Sequence, residues 1–164
     1  MKHAAFAAIL IAGFLGAGSI NAQTCAAPGA WTPSPSGAPA QFTDLCSGSD
    51  SVALYCDFLD SAGKNDAVWQ LNFAAGFTSS QIVVSGGAAG FNPVIYLYSS
   101  TCASGSGCVA SGDTANPLPL AGVSPGSYFL AVTAASADAS GACGAVTLST
   151  NGYVPVSLQA FSID

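Results

Sequence analysis

Short stretches in which apolar and polar residues alternate recur from about residue 50 onward. In Ala67–Phe73, Trp69 and Leu71 lie on one face of an extended chain and Gln70 on the other. A period of two residues is typical of a strand with one buried face. The same reasoning predicts further strands at Ser51–Cys56, Gln81–Ser85, Pro93–Tyr98, Pro117–Val123, Ser127–Thr133, Ala145–Thr150 and Tyr153–Ile163.

Clusters of Gly, Pro, Ser, Asn and Asp separate nearly all of these strands, and Asn151-Gly152 is a strong signal for a tight turn. After the first 22 residues, no window shows the 3.6-residue period of an amphipathic helix. Several short strands at regular spacing predict an all-β protein, either a sandwich or a small barrel. We expect one such domain over residues 51–164.

The first 50 residues differ from the rest. Met1-Lys2-His3 is basic, Ala4–Gly18 is apolar, and Ser19–Ala22 ends in small residues before a cut at Gln23. This order is typical of a secretory signal peptide, and the apolar run of about 15 residues is short of the roughly 20 that span a bilayer. We therefore predict a signal peptide over 1–22, no membrane span in the mature form, and a Pro/Gly/Ser-rich arm over 23–50.

Export changes the meaning of the six cysteines, because oxidising compartments favour disulfides. Cys102 and Cys108 enclose only five residues, so the simplest hypothesis is that they pair with each other. Cys25, Cys46, Cys56 and Cys143 then form two further bridges, for which three connectivities are open. A zinc site is disfavoured, since the chain has no close Cys pair of the CxxC type and no added histidine after residue 22.

Composition excludes several classes of function. After residue 22 the chain has eight aspartates, one lysine (Lys64), and no histidine, arginine or glutamate. Without cations to neutralise phosphates, nucleic acid is not expected as a partner, and anionic lipid surfaces are disfavoured for the same reason. Most of the side chains that ordinary acid–base catalysis uses are also absent after residue 22.

Three segments carry a family likeness: Asn65–Phe73, Phe91–Tyr98, and Ser124–Val132 with its Ser-Pro-Gly-Ser-Tyr start. They resemble the strands of bacterial pre-peptidase C-terminal (PPC-like) domains, and Ile82–Ser85 and Gly144–Leu148 are similar to two others. Cys102 and Cys108 fall where many members carry a Cys-flanked loop. The resemblance implies a jelly-roll-like antiparallel β-sandwich exported from a bacterial cell, of the kind that accompanies secreted proteases and other hydrolases.

One catalytic motif occurs, Gly122-Val123-Ser124-Pro125-Gly126, which fits the G-x-S-x-G pattern of hydrolase nucleophiles. Ser124 would need a base, and no histidine is present after residue 22. Lys64 is the remaining candidate base. Because the motif lies in the turn before a strand and not at a strand-to-helix elbow, we interpret it as accidental and expect no enzyme activity.

Two kinds of ligand site are considered. Asp57, Asp60 and Asp66 could gather around calcium, although aspartates also recur in turns for backbone reasons, so no cofactor is expected. Trp31 in the arm is a candidate ligand contact, whereas the other aromatics are expected in the core.

The predicted function is a secreted, non-catalytic binding or accessory module, periplasmic or extracellular, for an unknown protein or glycan at the cell surface. One alternative is a structural subunit of an extracellular assembly, in which the strand Tyr153–Ile163 pairs with a neighbouring molecule. A hydrolase of unusual chemistry is the other alternative.

Overall fold

A computed structural model describes residues 24–31, 41–52, 56, 63–73, 80–99 and 107–151. Nine strands lie in this part of the chain. They are β1 (Gly29–Trp31), β2 (Gln41–Asp44), β3 (Ala67–Phe73), β4 (Gln81–Gly86), β5 (Pro93–Tyr98), β6 (Cys108–Asp113), β7 (Leu118–Pro119), β8 (Gly126–Ala134) and β9 (Ala145–Asn151). A single 3₁₀ turn, Leu45–Ser47, follows β2 in the described residues.

The strands form two sheets that pack face to face. One sheet has five strands in the order β1-β3-β8-β5-β6, and the other has four in the order β2-β9-β4-β7. Every pairing is antiparallel except that of β1 with β3, which is parallel. The predicted all-β antiparallel sandwich is confirmed.

The main core lies between the two sheets because each strand sends alternate side chains inward. Trp69 and Leu71 of β3 meet Leu130 of β8 on one side and Ile82 and Leu148 on the other, all with at most 1 % of their surface exposed. Burying one such side chain contributes about 1.5–3 kcal/mol. This core holds the four-stranded sheet in a fixed position and leaves its other side facing outward.

Most alternating segments form the strands that their pattern predicts. The bounds of β3 and β5 agree with prediction, and β4, β8 and β9 extend by one residue or more. Of the segment 117–123, only Leu118–Pro119 is a strand. Ser51 and Val52 are not in a strand, whereas 53–55 and the predicted last strand, Tyr153–Ile163, lie outside the described residues.

The prediction of a separate arm over 23–50 is wrong for its described part. β1 extends the five-stranded sheet beside β3, and β2 is an edge strand of the four-stranded sheet. Because this part of the chain supplies one strand to each sheet, the sandwich begins before residue 50 and not at Ser51.

The predicted Cys102–Cys108 pair is also wrong. Cys108 is bonded to Cys56, 52 residues away, and Cys46 is bonded to Cys143, 97 residues away. Pairing of β5 with β6 places Cys108 opposite Tyr98. Cys56 packs against the same small cluster that contains Tyr98, so the sheet brings Cys108 to it. Cys25 is disulfide-bonded as well, and Cys102 lies outside the described residues.

Residues 1–23, which contain the predicted signal peptide, are also outside the described part. Among the residues that are described, no helix has the length and apolar character needed to cross a membrane.

Candidate functional site

The outward side of the five-stranded sheet is largely covered. Tyr96 and Tyr98 of β5 point away from the main core, yet both are buried, in a second cluster with Val52, Val68 and Ala131. The chain around residue 52 and the Cys56–Cys108 bridge lie against this cluster. This side of the sandwich therefore offers little aromatic surface to a ligand.

The outward side of the four-stranded sheet, here called the open face, is different. Strand register places ten side chains on it, and none of them is buried: Phe42 and Asp44 of β2, Gln81, Val83 and Ser85 of β4, Pro119 of β7, and Ala145, Thr147, Ser149 and Asn151 of β9. With strand spacing near 4.8 Å and a rise near 3.4 Å per residue, this face measures roughly 14 by 20 Å.

Phe42 is the one large aromatic side chain on the open face, and 78 % of its surface is exposed. It stands at the free edge of the sheet, opposite Thr147, which in turn is opposite Ser85. The three side chains thus form a row across three strands. One isolated exposed apolar residue is ordinary on a protein surface, but here the ring borders the hydroxyl groups of Thr147 and Ser85.

The open face carries little charge. Asp44 is its only ionisable residue, and one carboxylate oxygen of Asp44 accepts the Cys46 N–H at 2.9 Å, capping the 3₁₀ turn. The remaining polar groups are hydroxyls and amides, which both donate and accept hydrogen bonds. Only a 3.5 Å contact from the Ser85 hydroxyl to the Thr147 carbonyl joins them in the described part of the chain.

Trp31, the predicted ligand contact, is buried. It lies in β1 with 5 % of its surface exposed and belongs to the main core. The parallel pairing of β1 with β3 places Trp31 opposite Leu71, whose side chain also points inward. The prediction was wrong because a Pro-rich composition suggested an exposed arm where the structure has a short edge strand.

Ser124 and Lys64 lie at opposite ends of the β3–β8 ladder. Lys64 precedes Ala67, which pairs with Val132, and Ser124 precedes Gly126, which pairs with Phe73. Six residue steps separate these ends, so the two side chains are on the order of 20 Å apart. The Ser124 turn is fixed by the Tyr128 hydroxyl, which donates to the Ser124 carbonyl at 2.8 Å. These two residues cannot act as a Ser–Lys pair.

Lys64 is buried among backbone carbonyl groups and has a structural role. Its ammonium group donates to the carbonyls of Ala135, Ser136 and Asp138 at 2.8, 3.1 and 2.6 Å, and only 5 % of the residue is exposed. A buried ammonium group is tolerated where carbonyl oxygens replace its water. Lys64 therefore holds the loop between β8 and β9 against the start of β3.

Asp66 is buried as well. Its Oδ2 accepts the N–H groups of Ser51 and Val52 at 2.8 and 2.7 Å. Burial raises the pKa of Asp66 to about 6; hydrogen bonds from Val52, Thr133 and Ser51 oppose this rise, and the negative charge of Asp50 adds to it. Asp66 thus anchors the segment that leads to Cys56.

The calcium hypothesis receives no support from the described residues. Within residues 24–31, 41–52, 56, 63–73, 80–99 and 107–151, no three His, Cys, Asp or Glu side chains form a group that could hold a metal ion. Asp66 faces backbone N–H groups, and Asp57 and Asp60 lie outside the described residues.

Sequence reasoning missed Phe42. The only signal was a single aromatic between Gln41 and Thr43, and four residues are too few to reveal which face of a strand is outward.

Comparisons of the chain with protein-family models, curated proteins and solved structures find no match. Function must therefore be argued from the residues of the open face.

Proposed function

We propose that this protein is an exported, non-catalytic binding module that holds its ligand on the open face. The observation that carries the proposal is the contrast between the two outward sides of the sandwich. One is covered by a second cluster of buried residues, whereas the other presents Phe42 and a row of hydroxyl groups to solvent. Backbone pairing holds the strands of this sheet in register, so its surface is preorganised, which limits the entropy lost on binding.

Export is supported by the cysteines and by the start of the chain. Two disulfides join distant parts of the described fold, and bridges of this kind persist in oxidising compartments. The basic and apolar residues at the start of the chain have the order of a secretory signal peptide. Both point to a place of action outside the cytoplasm.

A non-catalytic role is supported by the side chains that remain after residue 22. No histidine, arginine or glutamate is present there, and Lys64 is occupied by three carbonyl oxygens far from Ser124. A buried aspartate such as Asp66, with backbone N–H groups bound to it, serves to fix a loop. Binding without turnover is the activity that this inventory supports.

The test is retention on extracellular material. The purified protein, carrying a C-terminal tag, is incubated with insoluble cell-wall and extracellular-matrix fractions and sedimented. We expect the unaltered protein to sediment with one of these fractions and Phe42→Ala to remain in solution. Val109→Ala is the matched control, because Val109 is also an exposed apolar residue, 41 % exposed, but belongs to β6 at the edge of the other sheet.

Equal retention of Phe42→Ala and Val109→Ala would show that the open face is not the binding surface. Turnover of ester, peptide or glycoside substrates by the unaltered protein, lost in Ser124→Ala, would overturn the non-catalytic part of the proposal.

A further inference from the structure

We infer that the ligand of the open face is an uncharged polysaccharide, one of whose sugar rings stacks on Phe42. This inference rests on the proposed function and adds the chemical class of the ligand. Three properties of the face carry it: the exposed ring, the kind of polar group beside the ring, and the nearly complete absence of charge.

The exposed ring supplies an apolar platform. With 78 % of its surface in contact with solvent, Phe42 can cover one flat side of a sugar ring without any rearrangement of the sheet. The C–H groups on that side of a pyranose are apolar, and the negative face of an aromatic ring attracts them. Contact removes apolar surface of both partners from water.

The polar groups beside the ring suit a ligand rich in hydroxyls. Thr147 and Ser85 continue the row that starts at Phe42, and Ser149 follows Thr147 on the same side of β9. A hydroxyl group can donate or accept, so it can match sugar hydroxyls in either orientation. Hydroxyl groups thus recur along β9, at Thr147 and Ser149, which fits a ligand made of repeating units.

The charges of the chain select among polysaccharides. Lys64 is the only Lys, Arg or His in the described residues, and it is buried beneath carbonyl oxygens. The full chain has a net charge of −6. An anionic polymer would meet repulsion from this net charge and no cation on the open face, whose only charged side chain, Asp44, already caps a turn.

Composition argues against a protein partner on this face. The centre of a protein interface is enriched in apolar residues. Here the centre is Val83, Thr147 and Ser149, and the one large apolar side chain stands at the edge.

The experiment compares neutral and anionic polymers. Microcrystalline cellulose, chitin and insoluble starch are the neutral probes in sedimentation assays, and alginate and polygalacturonate in affinity gels are the anionic ones. We expect binding to at least one neutral polymer, unchanged in 0.5 M NaCl because no ion pair contributes. Phe42→Ala should weaken it by about tenfold or more, in line with the loss of one stacked ring.

Paired variants separate surface chemistry from folding. Thr147→Asp places a charge in the centre of the open face and should also weaken binding. Ser111→Asp places the same charge on the exposed strand β6 of the other sheet and should not. Circular dichroism and thermal unfolding confirm that each variant is folded, and Val109→Ala serves as the control for Phe42→Ala.

Three results would overturn the inference but would not decide the proposed function, which is tested separately by retention on cell-wall and extracellular-matrix fractions. They are binding to the anionic polymers alone, binding to none of the neutral polymers, and binding to a protein with no effect of added sugar. Neutral-polymer binding that is unaffected by Phe42→Ala and Thr147→Asp would contradict both, because the open face would then not be the site.

Discussion

At the scale of single residues, two buried ionisable side chains two positions apart hold loops at the start of β3. Lys64 binds three carbonyls of the β8–β9 loop, and Asp66 binds two N–H groups of the segment at Ser51. Sequence alone marked Lys64 as a candidate base and Asp66 as a candidate calcium ligand. The backbone atoms that they bind lie more than ten residues away along the chain, and no sequence spacing reveals them.

Lys64 makes native trypsin resistance a direct test of its burial. It is the only Lys or Arg after residue 22, and the enzyme must extract it from its three carbonyls to cut. We expect the chain from Gln23 onward, with intact disulfides, to resist trypsin under native conditions and to be cut once it is unfolded in urea. Gel electrophoresis after reduction is the measurement, because both described disulfides join the two sides of the cut.

Rapid native cleavage, at the rate seen in urea, would contradict the buried position. As a second readout, Lys64→Met leaves the three carbonyls without their donor and should lower the free energy of unfolding by about 3 kcal/mol. Val109→Ala, at an exposed site, is the control and should change it by less than about 0.5 kcal/mol.

Asp66 predicts a specific pH dependence of stability. Because its pKa is raised from 3.8 to about 6 in the folded protein, the folded state holds a proton that the unfolded state releases. Between about pH 4 and pH 6 the folded protein binds more protons, so its stability falls as pH rises and is level above about pH 6. At 1.36 kcal/mol per pH unit, the Asp66 contribution amounts to roughly 3 kcal/mol.

The measurement is urea unfolding at pH 4, 5, 6 and 7 for the unaltered protein and for Asp66→Asn. We expect the difference in unfolding free energy between them to change by roughly 3 kcal/mol across this range, with Asp66→Asn relatively more stable at pH 7. Asp113→Asn is the control. Hydrogen bonds from Asn116 lower the pKa of the exposed Asp113 from 3.8, so its contribution to stability is lost only below about pH 4, and the Asp113→Asn difference should stay nearly constant from pH 4 to pH 7. A difference between Asp66→Asn and the unaltered protein that is constant with pH would contradict the raised pKa.

At the scale of elements, prediction succeeded where alternation was long enough to read. β3 has seven residues, and its exposed Gln70 and Asn72 alternate with buried positions, which defines its inward face. β5 has six residues, which is long enough to define a strand, but both of its faces are largely buried. β1 and β2 have three and four residues in a Pro-rich context. β6 is composed mainly of small residues and shows no clear alternation. All three are edge strands, where neighbouring strands and not local pattern decide the pairing.

The predicted pairing of Cys102 with Cys108 failed for a related reason. A short loop between Cys102 and Cys108 is entropically easy to close, but closure cost grows only slowly with loop length. The position of each cysteine in the sheets therefore decides its partner. Cys108 begins β6 beside the second cluster, where Cys56 also lies, with a Cα–Cα distance of 5.4 Å.

The disulfide pattern is directly testable. Digestion of the unreduced protein with pepsin, followed by mass spectrometry, should yield linked peptides that contain Cys46 with Cys143 and Cys56 with Cys108. A Cys102–Cys108 peptide would contradict the structure. Replacing Cys46 and Cys143 together by Ser should lower stability by about 4 kcal/mol, because with Cys56–Cys108 intact that bridge closes a loop of roughly 45 residues in the unfolded chain.

At the scale of the whole molecule, the two outward sides of the sandwich differ in how far they are covered. The side of the five-stranded sheet is occupied by the cluster around Tyr96 and Tyr98, and a disulfide lies against it. The side of the four-stranded sheet is open, polar and nearly uncharged. Alternation predicts that each strand has one buried face. It does not predict which of the two sheets is also covered on its outward side by a second cluster of buried residues. The open face therefore became visible only in the folded chain.

The composition of the chain agrees with this contrast between a covered side and an exposed side. A chain with no histidine, arginine or glutamate after residue 22, its one lysine buried, and at least two long-range disulfides is built to persist and to present a surface. The proposed function has the ligand held by stacking and by hydroxyl groups, since the open face offers almost no charge for recognition.

The most direct measurement is a two-dimensional ¹⁵N–¹H spectrum of the mature protein, titrated with soluble oligosaccharides of the polymer on which it is retained. The proposal predicts shifts confined to the backbone amides of β2, β9 and β4, largest around Phe42 and Thr147, and absent in Phe42→Ala. Shifts that fall on β5 and β6 of the five-stranded sheet, with β2 and β9 unchanged, would contradict it.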